Sequence, residues 1–348
     1  MRRLTPEDRT TVLLVRPDGI GDEVLALPLA TALRRLLPKA RVLFLSSASA
    51  APVLERHPDL DGVLALDGRE RFGDLVSLFR RDIGAAIFLK PYRRLMAAAW
   101  VARVPQRVAT GYRWYSLLAN RRVYEHRSGF SKHESEYNLG LLRGLGLDPG
   151  PLVPPRLALT NEERRAGGAR LAGLPEPRVL LHVGGLSARN WKAEHYRDLA
   201  RRLAEEGYGV VLTSGREERE RFERAGGPVA PARGVLRDLR GELGLREFMA
   251  VIAASRAVVS GSTGAAHLAA ALGVPTVSLY DPQRKTSPVR WGPLGQGLVL
   301  VPDVPTCERC IFEACPYWDC LDRITVEEVA GRVREVISRA EPIRVRHV

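Results

Sequence analysis

Apolar residues along this chain fall into two alternating periods. Short unbroken runs cover residues 12–15 (VLLV), 42–46, 63–66 and 85–89. Between them, apolar positions recur every three or four residues, as with Val24, Leu25, Leu29, Leu33, Leu36 and Leu37. The runs fit strands buried on both faces, and the spaced positions fit amphipathic helices. Helices are predicted after Asp22 up to Pro38, over about 50–56 and 72–81, and from Arg94 to about 103. Residues 106–135 break the rhythm, being irregular, basic and aromatic (Arg113, Trp114, Tyr115, Arg121, Arg122), and read as a substrate-facing loop region. A helix is expected over 134–145 after His133. Residues 146–160 are rich in proline and glycine and read as a linker. The alternation then restarts: strands at 179–183, 209–213, 257–259, 276–280 and 298–301, with helices at 193–206, after 214–218, at 246–254 and up to Ala271. An amphipathic helix begins at 324. The expected fold class is α/β, with two doubly wound, Rossmann-like parallel-sheet domains at 1–155 and 160–323 facing across a cleft, then a closing helix and tail at 324–348.

Composition narrows the class. The 348 residues are 45% hydrophobic and 27% charged, as in globular domains. No apolar run is long enough to span a bilayer, and the start, MRRLTPEDRT, lacks the apolar core of a secretory signal, so a cytoplasmic protein is expected. The formal net charge is +13, and 48 of the 53 basic residues are arginine. That excess weakens the case for any single arginine. The basicity favours an acidic partner, such as a phosphorylated substrate or an anionic membrane surface. Zinc-finger spacing, an RNA-binding aromatic signature and a basic heptad region are all missing, which argues against nucleic acid.

Two glycine-bearing turns follow strands. In Arg16-Pro17-Asp18-Gly19-Ile20-Gly21-Asp22, Asp22 stands where a helix should begin. In Ser260-Gly261-Ser262-Thr263-Gly264, a strand passes into the alanine-rich helix that holds Ala265 and His267. Backbone N–H groups at such a helix start, with its positive dipole end, suit a phosphate, although Ser262 and Thr263 are also ordinary caps. His267, one turn on, either donates a further hydrogen bond or packs the helix. Asp22 either removes a proton or stabilises its helix end. Lys90, Arg93 and Arg94 follow a strand, where parallel sheets place ligands, and are candidates for an anionic acceptor.

Taken in order, RPDGIGDEVLALP (16–28), GGLSARNW (184–191), SGSTGAAHLAAALGVPTVSLY (260–280) and the cysteine segment before ITVEEV make the chain resemble glycosyltransferase family 9, which includes the heptosyltransferases of lipopolysaccharide core assembly. The resemblance runs from about residue 12 to 340. It implies a GT-B fold and inverting transfer from a nucleotide-activated sugar, ADP-heptose first, to a lipopolysaccharide-core or related acceptor at the inner membrane. It makes Asp22 the base, with Asp18 as rival. It gives the donor diphosphate to Thr263, Gly264 and Ala265, with Arg189 neutralising the leaving group. Glu218, or its neighbour Glu217, would meet the ribose. Ser262 departs from the Asp or Asn common there, and Lys192 replaces a common proline as a second phosphate ligand or an exposed helix-start residue. Catalysis on these terms needs no metal. The rivals are another sugar nucleotide on the same fold, or a non-catalytic anion-binding protein.

Four cysteines, Cys307, Cys310, Cys315 and Cys320, are spaced C-x2-C-x4-C-x4-C. Four thiolates suit a structural zinc or an iron–sulfur cluster. The alternative is reduced thiols packing a loop.

Overall fold

The computed structural model describes residues 3–185, 189–225, 235–338 and 344–347. The chain divides into two compact units, Met1–Ala158 and Leu159–Val348.

In the first unit six strands form one sheet: β1 (Thr11–Val15), β2 (Arg41–Ser47), β3 (Gly62–Leu66), β4 (Ile83–Phe88), β5 (Gln106–Thr110) and β6 (Arg121–Val123). Their order is β3-β2-β1-β4-β5-β6 and every pairing is parallel. Helices Phe72–Phe79 and Arg93–Val101 cover one face, closing a core of Leu13, Val15, Leu45, Phe79, Phe88 and Met96. The connections run outward in opposite directions from β1 and β4. Their carboxyl ends are therefore the point where strand order reverses, the usual crevice for a ligand in an open α/β sheet.

Two details differ from the sequence expectation. The segment 106–135 is not irregular throughout: it supplies β5, a 3-10 helix Trp114–Leu118 and edge strand β6. The five- and three-residue strands are too short for an alternation to stand out among arginines. Also, one helix after β1 becomes two, Ile20–Val24 and Leu27–Leu36. Pro28 lacks an N–H and disfavours helical geometry before it, so the first helix ends and the second restarts with Pro28 in its opening turn. Gly19 caps the first helix, and Asp22 is its third residue rather than its start.

The second unit repeats the plan with β7 (Arg178–His182), β8 (Gly209–Thr213), β9 (Leu236–Asp238), β10 (Ala257–Gly261), β11 (Thr276–Leu279), β12 (Gly297–Val301) and β13 (Arg344–His347). The order is β13-β12-β11-β10-β7-β8-β9, again all parallel, with the reversal between β7 and β10. The short strands β9 and β13 lie outside the sequence expectation. Helix Val326–Ser338 puts Val329, Val333 and Val336 into the same core as Leu199, Leu203 and Leu300, so it is an integral layer of this unit.

Candidate active site

At the reversal point of the first sheet the chain leaves β1 through Arg16, which is only 3% exposed. Its guanidinium donates to Asp22 Oδ1, lies 3.1 Å from Glu134 Oε1 and 3.6 Å from Asp18 Oδ2. Arg127 donates to the same Glu134 oxygen at 2.6 Å. Burial by itself would lower the Arg16 pKa; the carboxylates of Asp22, Glu134 and Asp18 outweigh it and drive it up, so the cation is permanent.

The two aspartates of the turn are pushed apart. Asp22 is raised, because burial and the nearby Asp18 charge exceed the pull of Arg16. Asp18 is lowered: burial opposes ionisation, but Lys90 donating at 2.8 Å and Arg16 overcome it. Opposed shifts in adjacent carboxyls are how one environment separates a proton acceptor from a fixed charge. The next residue, Glu23, points the other way. It is fully buried, accepts from Ser46 Oγ at 2.6 Å and Ser47 N–H at 3.0 Å, and burial pushes it up to about 7.

Of the cations expected to meet an acceptor, Lys90 stands on Asp18 and over the Tyr92 ring. Arg93 is exposed at its helix start, and Arg94 reaches the Glu70 carbonyl at 2.9 Å. Only Lys90 joins the Arg16 cluster through a described bond.

In the second unit the loops leaving β7, β8 and β10 converge. Gly184 and Gly185 have φ of +140° and +151°, a region that strongly favours glycine. A Cβ on Gly184 would lie 2.7 Å from the Glu218 carboxyl carbon. One on Gly185 would lie 2.7 Å from Thr263 Cγ2 and 2.8 Å from Asn190 Oδ1. These absent side chains let Glu218, Thr263 and Asn190 close on one backbone. Glu218 accepts from Gly215 N–H at 2.7 Å, while Glu217 is exposed. His182, beside them, bonds Thr213 Oγ1 at 3.1 Å; burial drives it down to about 4 despite the Glu218 charge, so it is neutral at pH 7.

Thr263 caps helix Gly264–Ala271, and its hydroxyl is buried without a hydrogen-bond partner among the described residues. Ala266 N–H donates to the Thr263 carbonyl at 3.2 Å, which leaves the N–H groups of Gly264 and Ala265 at the helix start without an intrahelical acceptor. Ala265 is buried behind them, His267 is buried one turn along, and Ser262 meets the buried Tyr280 hydroxyl. Arg189 donates its backbone N–H to Asp281 at 3.5 Å and its guanidinium to the Trp318 carbonyl and, at 3.7 Å, to Cys320 Sγ. Lys192 is half exposed and pairs with Asp322 at 2.7 Å. Leu186, Ser187 and Ala188 of the quoted segment lie outside the described residues.

All four cysteines line one small cavity with Arg189, Asp281 and Tyr317, and all are free thiols. Burial pushes Cys307 and Cys320 up, so with no metal bound both are thiols. Among the described residues no three His, Cys, Asp or Glu side chains converge to hold a metal ion. The four stand as free thiols around one cavity.

Sequence reasoning passed over Arg16, Glu134, Glu23, Asn190 and Asp281. A signal existed for Arg16 and Asp281: each is a charge directly after, or one residue beyond, an apolar strand end. Glu134 carries none, since it reaches Arg16 across 118 residues.

The model of glycosyltransferase family 9 (heptosyltransferase) matches residues 87–317. Lipopolysaccharide heptosyltransferase 2 of Salmonella typhimurium is 28% identical over 302 residues, covering 78% of this chain and 82% of that one. The glycosyl transferase family 9 structure from Veillonella parvula superposes with a TM-score of 0.80 at 18% identity, covering 95% of this chain and 98% of that one. The Escherichia coli ADP-heptose lipopolysaccharide heptosyltransferase II does so at 0.77 and 23%, covering 94% and 99%. With two all-parallel sheets, a carboxylate turn at one reversal point and a glycine-built helix start at the other, the fold is GT-B, and the chain belongs to glycosyltransferase family 9, the heptosyltransferase family, and is a glycosyltransferase.

Proposed function

We propose that this enzyme moves heptose from ADP-heptose, with inversion, to a lipopolysaccharide-core or related anionic saccharide. The observation that carries the reading is the Asp22 carboxyl at the β1 turn, held by Arg16 and raised while Asp18 is lowered. Asp22 takes the proton of an acceptor hydroxyl as its oxygen attacks the anomeric carbon. The bond from sugar to phosphate oxygen breaks, and its electron pair leaves with ADP. The start of helix Gly264–Ala271 and Arg189 are assigned to the departing diphosphate, Glu218 to the ribose, and Lys90 to an acid group on the acceptor. Asp18 fits the base role less well, being committed to Lys90. The choice of ADP-heptose is supported by the Escherichia coli neighbour, an ADP-heptose lipopolysaccharide heptosyltransferase. Action at the inner membrane from the cytoplasm belongs to the same proposal; among the described residues no helix is long and apolar enough to cross a membrane.

A thermal-shift panel of sugar nucleotides tests the donor, since a ligand that binds the folded state raises its melting temperature. ADP and ADP-sugars are expected to stabilise more than UDP or GDP compounds, and a response to UDP compounds alone defeats the assignment. Asp22→Asn is expected to keep the nucleotide shift and lose roughly 10²–10⁴-fold in turnover. Near-normal turnover in that variant removes Asp22 from the mechanism.

A further inference from the structure

Residues 83–124 hold eight basic side chains and no acidic one, so 42 residues supply +8 of the chain's formal +13. The remainder is nearly balanced, with 45 basic against 40 acidic residues. The fold gathers this stretch in one place. It forms β4, β5 and β6, one end of the first sheet, with helix Arg93–Val101 packed on the 3-10 helix Trp114–Leu118.

The same end exposes large apolar side chains. Trp114 is 73% exposed, Leu117 76%, Tyr124 61% and Trp100 54%, whereas the neighbouring Ser116 and Ala119 are buried. A surface that leaves two tryptophans and a leucine in water, within 25 residues, marks a binding face. Arg93, Arg103, Arg113 and Arg122 are exposed on the same stretch and form no ion pair among the described residues. Arg107 is different: it donates to the Leu118 and Val104 carbonyls and braces the 3-10 helix from inside.

Tryptophan and tyrosine favour the boundary between headgroups and hydrocarbon, and basic residues beside it are drawn to anionic lipid. Single-stranded nucleic acid would need flat stacking faces along a groove. The exposed aromatics here pack on one another instead, Tyr112 on Tyr124 and His126 and Trp114 edge-on to Tyr115, while Leu117 and the exposed Val101 have no stacking face and suit hydrocarbon. We propose that the β5–β6 end of the first unit docks on an anionic phospholipid bilayer, with Trp114 and Leu117 entering the interface and the surrounding arginines over the headgroups. This deepens the acceptor side of the function proposed above and rests on it for its biological purpose, but its test needs no transfer reaction.

The full chain is sedimented with phosphatidylcholine vesicles with and without phosphatidylglycerol. Binding is expected only with phosphatidylglycerol and is expected to fall as salt rises. At about fivefold per charge, Arg103→Gln, Arg113→Gln and Arg122→Gln together should weaken partitioning about a hundredfold. Trp114→Ala with Leu117→Ala should also release the protein, and, since the chain has five tryptophans, brominated lipid should quench the emission of wild type more than that of Trp114→Phe. All substituted positions are exposed, so unchanged melting temperatures certify the fold. The proposal falls if wild type ignores the anionic vesicles, if the triple variant binds them equally well, or if RNA displaces them and depends on the same residues. Vesicle binding without any response to ADP compounds would sink the donor assignment alone; transfer to a soluble acceptor without vesicle binding would sink this one alone.

Discussion

Glu23→Gln isolates the energetic role of a carboxyl with no place in the transfer chemistry. Glu23 is fully buried between the first helix and β2, where it accepts from Ser46 and from the Ser47 backbone. Its pKa rises from 4.5 to about 7 through burial. A carboxyl raised on folding contributes stability that is fully present below its unfolded pKa of 4.5 and is lost as pH climbs through 7. At 1.36 kcal/mol per unit, the shift corresponds to about 3 kcal/mol. Glutamine keeps the shape and cannot ionise. The variant should therefore match wild type near pH 4.5 and exceed it by about 3 kcal/mol above pH 7. Amide hydrogen exchange at β1 and β2 reads the opening of this unit directly. The expected gain is about two orders of magnitude in protection at the alkaline end and little at the acid end. Parallel pH slopes for the two proteins, or a variant weaker at every pH, would show that burial does not govern this carboxyl.

Arg16→Met leaves Glu134 and Asp22 without their shared cation. A broken buried pair of this kind costs about 3–5 kcal/mol, visible as a lower melting temperature. Losing that cation also raises Asp22 further, so the acid limb of kcat/KM against pH should move to higher pH. Gly185→Ala places a methyl against Thr263 and Asn190 at a φ that disfavours side chains, and nucleotide affinity should drop about tenfold, about 1.4 kcal/mol, by calorimetry. The cysteines should titrate as four thiols per chain after anaerobic purification and denaturation, with metal well below one equivalent by elemental analysis. One tightly held zinc or iron per chain would reverse that reading and restore the tetrathiolate expected from the spacing.

Much of the fold was legible because both sheets are parallel and buried on both faces. Val12 to Val15 and Ala257 to Val259 need no alternation to be seen as strands. The exceptions have local causes. Strands β6, β9 and β13 have three or four residues and carry arginine, so neither length nor apolarity singles them out. The break before Leu27 follows from Pro28, whose effect the leucine spacing concealed. In the site, Gly184, Gly185, Thr263 and Glu218 were visible as segments, but their convergence depends on the strand order β10-β7-β8, which spacing along the chain does not encode. Glu134 was illegible for the same reason: only the folded first unit brings it to Arg16.

That long reach has a consequence for synthesis on the ribosome. Glu134 holds Arg16, while Ser135 and Asn138 donate to the Leu25 carbonyl just past the turn, at 2.7 Å and 3.3 Å. A nascent chain that has emerged only through β6 already has all six strands, yet it has a guanidinium facing the interior with part of its counter-charge still unmade. The turn that bears Asp22 is thus completed only near the end of the first unit's synthesis, and amber truncations ending before residue 134 should yield protease-sensitive products even though the whole first sheet has been translated.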